Sequence, residues 1–317
     1  MWGSMIVCGG ENLIDVIETP AAKGARRFTA HVGGSPYNCS RAIARLGGKV
    51  GYLGTLSTDS FGAQLLGALV KDSVQHLGER NDAPTTLAMV TVEDGQPDYR
   101  FYREGTAERR VTREGLRAAL PVRMAALHMG SIALAEGQDA DVWSDLFVQV
   151  AGIGIFTSLD PNIRTLIADP NRENYSARLL EMARVATLIR LSDEDAAWWF
   201  PGLAPERAVQ HLAALAPKCM VIVTQGAGEI LCHAAQGEFS CTPPLPARLA
   251  DTVGAGDTLT AAVLEGLARK RSLSPDGLRA LSLDALREVV ATAARAASIT
   301  CSRAGCNPPV AAEVWPS

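Results

Sequence analysis

LADTVGAGDTLTAAVLEGL, residues 249–267, decides how the chain is read. Apolar or small residues at Leu259, Ala262, Val263, Gly266 and Leu267 fall on one face of a helix. The segment 242–246 just before holds three prolines and is excluded from a helix interior. A helix therefore starts within 254–257. The first backbone N–H groups of a helix lack internal partners, and the helix dipole favours negative charge beside them. Gly254 and Gly256 let a bulky anion come close to those amides. Asp257 falls in the same first turn. A carboxylate beside a bound anion is electrostatically costly unless it has a task, and accepting the proton of an attacking hydroxyl is such a task. A plain helix cap also accounts for GAGD, because Asp and Gly are common at helix starts.

Asp251-Thr252-Val253-Gly254-Ala255-Gly256-Asp257-Thr258, with the small-residue helix after it, resembles the C-terminal signature of the PfkB-type, ribokinase-like carbohydrate kinases. Gly33-Gly34-Ser35-Pro36-Tyr37-Asn38, then Ala42, Ala44, Arg45, Leu46 and Gly47, resembles that family's N-terminal signature. Two motifs in the right order are more specific than either alone. The resemblance covers essentially the whole chain. It implies one ribokinase-like kinase domain over 1–317. The implied fold is α/β, a three-layer α/β/α sandwich with a central, mostly parallel sheet and a small β-sheet lid built from segments near 12–32 and 86–106.

Hydrophobic residues make up 47% and charged residues 20%, the composition of an ordinary soluble globular protein. The chain has 317 residues, enough for a large α/β domain with a well-buried core. A net charge of −4 without a basic run argues against nucleic acid as a partner. No apolar run approaches the ~20 residues that span a bilayer. The acidic start lacks the basic region of a secretory signal, so a cytoplasmic protein without a membrane partner is expected. Seven scattered cysteines form no CxxC pair, which leaves free thiols as the expectation and makes a zinc site a poor one.

Along the chain, strands are expected at 5–9, 50–56, 126–128, 155–159, 185–191 and 220–224. Helices are expected at 38–46, 59–69, 140–151, 176–183, 208–215, from 259, and 286–300. The alternation implies a parallel sheet with helices on both faces. Extended runs at 12–18 and 26–32, and at 86–92 and 98–102 around Asp94-Gly95-Gln96-Pro97, stand outside that rhythm as two hairpins, the candidate lid. Ligands of such sheets bind at the carboxyl ends of the strands. Asp15, Asp160 to Arg164, Ser192 to Asp195, Thr224 to Gly226 and Asp251 onward each follow a strand-like run.

Each candidate residue has a structural alternative. Ser35 reads as an N-cap with Pro36 in the first helical position. The resemblance adds that Gly33 and Gly34 pack against a sugar and that Asn38 bonds one of its hydroxyls. Asp15, in a Glu11-Asn12-Leu13-Ile14-Asp15 opening like that of fructokinases, would take two neighbouring hydroxyls; a solvated acid is the rival. Tyr102 and Arg103 resemble lid residues that cover the substrate, against an exposed edge protected by charge. Arg103 and Arg164 also suit a carboxylate, as in 2-keto-3-deoxygluconate kinases.

On the nucleotide side, Thr224, Gly226 and Gly228 resemble a nucleotide loop, with a hairpin turn as the alternative. Thr292 lies where many members place an asparagine near adenine. Asp195 stands where the family has a residue linked to Mg²⁺, but Ser192 replaces the family asparagine and Asp195 its glutamate, and a helix start explains the acids equally well. Asp251, Val253 and Ser302, the last in SRAGC, resemble the oxygens that hold a monovalent cation such as K⁺. Walker and dinucleotide fingerprints are absent.

These readings converge on an ATP- and Mg²⁺-dependent sugar kinase. Asp257 is its base, and the amides of Gly254, Ala255 and Gly256 are its anion cradle. Fructose is the first choice of substrate, implied by the resemblance of the Asp15 opening and GGSPYN to fructokinase-like members. The alternatives are 2-keto-3-deoxygluconate from Arg103 and Arg164, then ribose or a nucleoside. A non-catalytic sugar or nucleotide sensor is the reading from a different class. Exposed lid edges suggest a homodimer.

Overall fold

The computed structural model describes residues 5–19, 25–93 and 96–315, with the backbone alone at 92–93 and 96–99. The strands run β1 (Met5–Gly9), β2 (Leu13–Thr19), β3 (Arg27–Gly33), β4 (Val50–Leu53), β5 (Leu56–Ser57), β6 (Gln75–His76), β7 (Arg80–Asn81), β8 (Leu87–Glu93) and β9 (Gln96–Tyr102). They continue with β10 (Met124–Gly130), β11 (Phe156–Asp160), β12 (Leu188–Ser192), β13 (Met220–Thr224), β14 (Ile230–Ala234) and β15 (Gly237–Cys241). The helices are α1 (Ser35–Arg45), α2 (Ser60–Lys71), α3 (Arg113–Ala119), α4 (Gly137–Gly152), α5 (Thr165–Ala168), α6 (Arg172–Val185), α7 (Asp193–Trp199), α8 (Pro205–Leu215), α9 (Ala255–Arg269), α10 (Pro275–Ala280), α11 (Leu283–Cys301) and α12 (Ala311–Val314).

Nine strands form the main sheet in the order β15-β14-β13-β12-β11-β10-β1-β4-β6. It is parallel from β13 to β6, and β14 and β15 add an antiparallel hairpin at one edge. Sequence periodicity does not mark strands β14 and β15, helices α3 and α10 or the short strands β6 and β7, whereas the turn after β13 and the start of α7 are among its alternatives. The chain leaves β1 for β4 on one side and returns as β10 on the other. That reversal opens a crevice at the strands' carboxyl ends, where α/β sheets bind ligands.

Strand alternation sorts the core into two layers. Val7, Leu127, Leu159, Ile189, Leu191, Val221 and Val223 face α4, α6 and α8, where Trp143, Phe147, Leu179 and Leu212 pack. Ile6, Cys8, Ala126, Phe156, Leu188, Met220 and Ile222 face α1, α9 and α11, against Ile43, Leu259, Val263 and Val290. Burying a side chain of this size contributes about 1.5–3 kcal/mol. Helix α9 packs on both α1 and α11. The starts of α1 and α9 consequently lie side by side over the sheet edge.

The two hairpins outside the main rhythm join in one four-stranded sheet, β3-β2-β8-β9. Its centre is the parallel pair β2–β8, with Asp15 opposite Ala88. Asp15 thus lies inside a strand of this second sheet, in the extended run expected at 12–18, and not beyond the end of a strand. The expected turn at Asp94-Gly95 lies outside the described residues. Among the described residues no helix is long and apolar enough to cross a membrane.

Candidate functional site

Gly254 is the N-cap of α9 and takes a left-handed φ of 77°, a conformation glycine adopts without strain. A Cβ there would stand 2.3 Å from Cys306 Sγ, so the SRAGC loop closes directly on this turn. Asp251 fastens the same turn. Its Oδ1 accepts the Val253 amide at 3.0 Å and its Oδ2 the Gly305 amide at 2.9 Å.

The amides of the turn divide. Ala255 N–H is already donated to Thr252 O at 3.2 Å, which corrects its expected place in the anion cradle. Gly256 and Asp257, in the first turn of α9, have no such internal acceptor. They are the donors available to an anion.

Asp257 is 8% exposed. Ser35 Oγ donates to its Oδ1 at 2.7 Å and Asn38 Nδ2 to its Oδ2 at 3.0 Å. Burial raises its pKa, opposed by those two bonds and by Arg164. The result is a carboxylate more basic than a solvated one, which suits a proton acceptor. The Oδ1 of Asn38 is buried without a partner and remains able to accept a bond.

Ser35 is not the N-cap expected from sequence. Gly34 is the cap, with φ 107°, and Ser35 and Pro36 form the first turn of α1. That frees the Ser35 hydroxyl for Asp257. Glu11 holds the turn from behind, its Oε1 accepting the Ser35 amide at 2.8 Å. The Glu11 side chain is buried, and desolvation pushes its pKa up to about 7. Gly33 makes room for Asp15: a Cβ there would sit 2.2 Å from Asp15 Oδ2. Burial pushes the Asp15 pKa up to about 6, with Arg164 lowering it and Asp257 raising it. Asp15, Arg164, Asn38 and Asp257 therefore share one electrostatic neighbourhood, and Arg164 is exposed and able to reach a ligand.

The two lid residues part company. Tyr102 is 54% exposed at the end of β9. Arg103 is 4% exposed, and its Nε donates to Glu108 at 2.9 Å and its Nη1 to Glu136 at 3.4 Å. This corrects the reading of Arg103 as a lid arginine free to engage a substrate carboxylate: its charge is used within the protein.

Asp195 is corrected likewise. Its Oδ1 accepts the Ile163 amide at 2.7 Å, and its Oδ2 closes a capping box with the Ser192 amide and hydroxyl. The helix start is what the structure shows, and among the described residues no group of three acids, histidines or cysteines is placed to hold a metal.

The monovalent-cation residues are also partly spoken for. Ser302 Oγ donates to Ile299 O at 2.6 Å, and both Asp251 oxygens serve amides. Main-chain carbonyls at Asp251 and Val253 remain as donors to an ion. The Thr224–Gly228 segment is the turn between antiparallel β13 and β14, with Gly226 at φ 56° and Gly228 N–H bonded to Gln225 O at 2.7 Å. The hairpin alternative is therefore the observed geometry; it leaves the backbone exposed beside the α9 turn. Thr292 is half-buried on α11.

The sequence reading passes over Arg190, and it names Asp160 and Glu11 without giving either a role. Arg190 stood out in principle, as a charge inside the apolar run LIRLS of β12.

Comparison with known proteins agrees with this geometry. Residues 4–313 match the family described as pfkB family carbohydrate kinase. A fructokinase of Rhizobium leguminosarum bv. trifolii is 32% identical over 265 residues, which cover 83% of this chain and 79% of that protein. A probable fructokinase-6 of Arabidopsis thaliana is 31% identical, over 86% of this chain and 72% of its own. The crystal structure of a fructokinase from Xylella fastidiosa with bound ATP superposes with a TM-score of 0.88 at 26% identity, covering 98% of this chain and 96% of that one.

A pH dependence follows from Asp15. Its folded pKa is raised to about 6, so a role of the ionised carboxylate in accepting sugar hydroxyls would be lost as pH falls through that value. Sugar affinity measured by calorimetry is expected to fall by up to about tenfold per pH unit below the pKa, and to lose most of that dependence in Asp15→Asn. An affinity that stays flat from about pH 7 to about pH 5 would remove Asp15 from the sugar site.

Proposed function

The chain belongs to the pfkB family of carbohydrate kinases, and from that premise we propose that it transfers the γ-phosphoryl group of ATP to a primary hydroxyl of fructose. The observation that carries this reading is the buried Asp257 carboxylate beside the unengaged amides of the α9 turn. The sugar lies between the main sheet and the β3-β2-β8-β9 sheet. Asp15 and Asn38 Oδ1 accept its hydroxyls, with Gly33, Gly34 and exposed Tyr102 around it. ATP lies along the Thr224–Gly228 turn, with its phosphates at Gly254–Asp257 and its base towards Thr292.

In the reaction the acceptor oxygen attacks the γ-phosphorus. The new O–P bond forms as the bond to the β-phosphate oxygen breaks, and ADP leaves. An alcohol is far less acidic than any carboxylic acid, so its proton moves late, to Asp257. That transfer contributes about 10²–10⁴-fold. Positioning and charge stabilisation by the Gly256 and Asp257 amides supply much of the rest. Among the described residues the acids form no cage for Mg²⁺, and the divalent ion enters with the nucleotide, as the MgATP substrate. A K⁺ ion would be held by the carbonyls of Asp251 and Val253.

Fructose is favoured over 2-keto-3-deoxygluconate because Arg103, one of the two arginines on which the acid substrate depends, is paired with Glu108 and Glu136. The intact Asp257 opposes a non-catalytic sensor. We also place a homodimer interface on the β3-β2-β8-β9 sheet, whose strand β3 is largely exposed and carries Phe28 at its surface.

A coupled ADP-release assay with fructose, 2-keto-3-deoxygluconate, ribose and nucleosides tests the substrate. Fructose is expected to give the highest kcat/KM; a faster rate with another acceptor overturns that choice, and no sugar-dependent ADP release overturns the kinase. Light scattering is expected to give twice the chain mass, and a monomer at working concentration excludes the proposed dimer.

A further inference from the structure

Strand β12 points Leu188 and Arg190 at α9, while Ile189 and Leu191 face the opposite core. Arg190 is therefore a cation on an apolar layer, and it is 8% exposed. A buried arginine is costly unless its charge is matched and its donors are used. Its guanidinium reaches three neighbouring elements. Nη1 lies 3.3 Å from Asp160 Oδ2 at the end of β11, and Nη2 donates to Thr224 Oγ1 at 2.7 Å at the end of β13. On its third side stands Gly256, where a Cβ would sit 2.6 Å from Nη1. Asp160 in turn accepts Thr260 Oγ1 of α9 at 3.0 Å.

The charge balance gives this contact a purpose. Asp160 and Asp257 are both acids, and the charge of Asp160 disfavours the ionisation of Asp257. A triphosphate brought to the α9 turn adds more negative charge to the same place. Arg190 is the buried cation between Asp160 and that turn. Its donors are not exhausted: Nε is buried without a partner, and the Asp160 pair is loose, at 3.3 and 3.5 Å. A guanidinium with spare donors against a helix start suits phosphate recognition.

We propose that Arg190 is the positioning residue of the nucleotide side, fixing the α9 turn and Thr224 to the strand ends and supplying the positive charge that nucleotide phosphates meet there. This rests on the kinase reading for the place of the nucleotide, though not on the identity of the sugar. It also accounts for glycine at 256, since any side chain there would displace the guanidinium.

The test is calorimetric titration of MgADP without sugar, and of fructose separately, into wild type, Arg190→Lys and the charge-neutral double variant Arg190→Met/Asp160→Asn. Loss of one charge-assisted interaction is expected to weaken MgADP binding by about tenfold in the double variant. The lysine variant, which keeps the charge and loses the fork, falls between it and wild type. Fructose affinity stays within about twofold in both, because nothing on the sugar side contacts Arg190. Wild-type MgADP affinity in the lysine variant and in any folded double variant overturns the proposal, as does an equal loss for both ligands. A wild type that binds MgADP yet fails to phosphorylate fructose refutes the substrate assignment and leaves this comparison intact.

Discussion

Two hydrogen bonds between helix starts organise the site. Ser35 and Asn38, from the first turn of α1, both end on the carboxylate of Asp257, from the first turn of α9. A bond to an ionised carboxylate contributes about 1.5–3 kcal/mol, and leaving such a group buried and unpaired costs more. The pair therefore locks the two helices at one spacing and keeps the carboxylate in a single orientation. It also sets the chemistry. Burial raises the pKa of Asp257 and its two donors pull it back, which gives an acid that is more basic than a solvated one.

The rest of the fold serves that contact. Period-2 alternation along β11, β12 and β13 sends Asp160, Arg190 and Thr224 to the α9 side, while the intervening residues fill the opposite core. The second sheet carries Asp15 to the same crevice. It is tied at its end by Arg103, Glu108, Thr86 and Thr106, a buried network of charge-assisted and neutral bonds. Arg109 extends that tie to α4 through Asp139. The ionic groups near the lid thus hold its base in place, and the exposed Tyr102 is left at its end.

What the chain revealed beforehand was what is local. Glycine spacing and apolar periodicity placed the start of α9 within residues that the structure confirms, and the alternation of strand and helix gave the three layers. The edge hairpin β14–β15 escaped because ILCHA and GEFSC mix polar and apolar residues without a strong period. Ser35 was read as a cap because Ser before Pro-containing helices usually is one; its actual partner is 222 positions away and no local rule reports it. The partners of Arg103 are hidden for the same reason, and for Asp195 the structure selects the helix start, one of the two readings that the sequence leaves open. A charged side chain shows its type in sequence, whereas the partner that consumes its charge is a tertiary fact. Arg190 was visible as an oddity in a buried strand, and only the packing of Gly256 against it gives the oddity a meaning.

The central claim is that Asp257 takes the proton of the acceptor alcohol while the α9 turn holds the phosphate. The most direct measurement is single-turnover phosphoryl transfer by Asp257→Asn, set beside its calorimetric affinities for MgADP and sugar. An asparagine keeps the size but only one of the two acceptor oxygens, so the unfolding midpoint is expected to fall with the lost hydrogen bond, while both ligand affinities stay near wild type and the chemical step slows by about 10²–10⁴-fold. Transfer at near wild-type rate by a folded, ligand-binding Asp257→Asn protein would contradict the account.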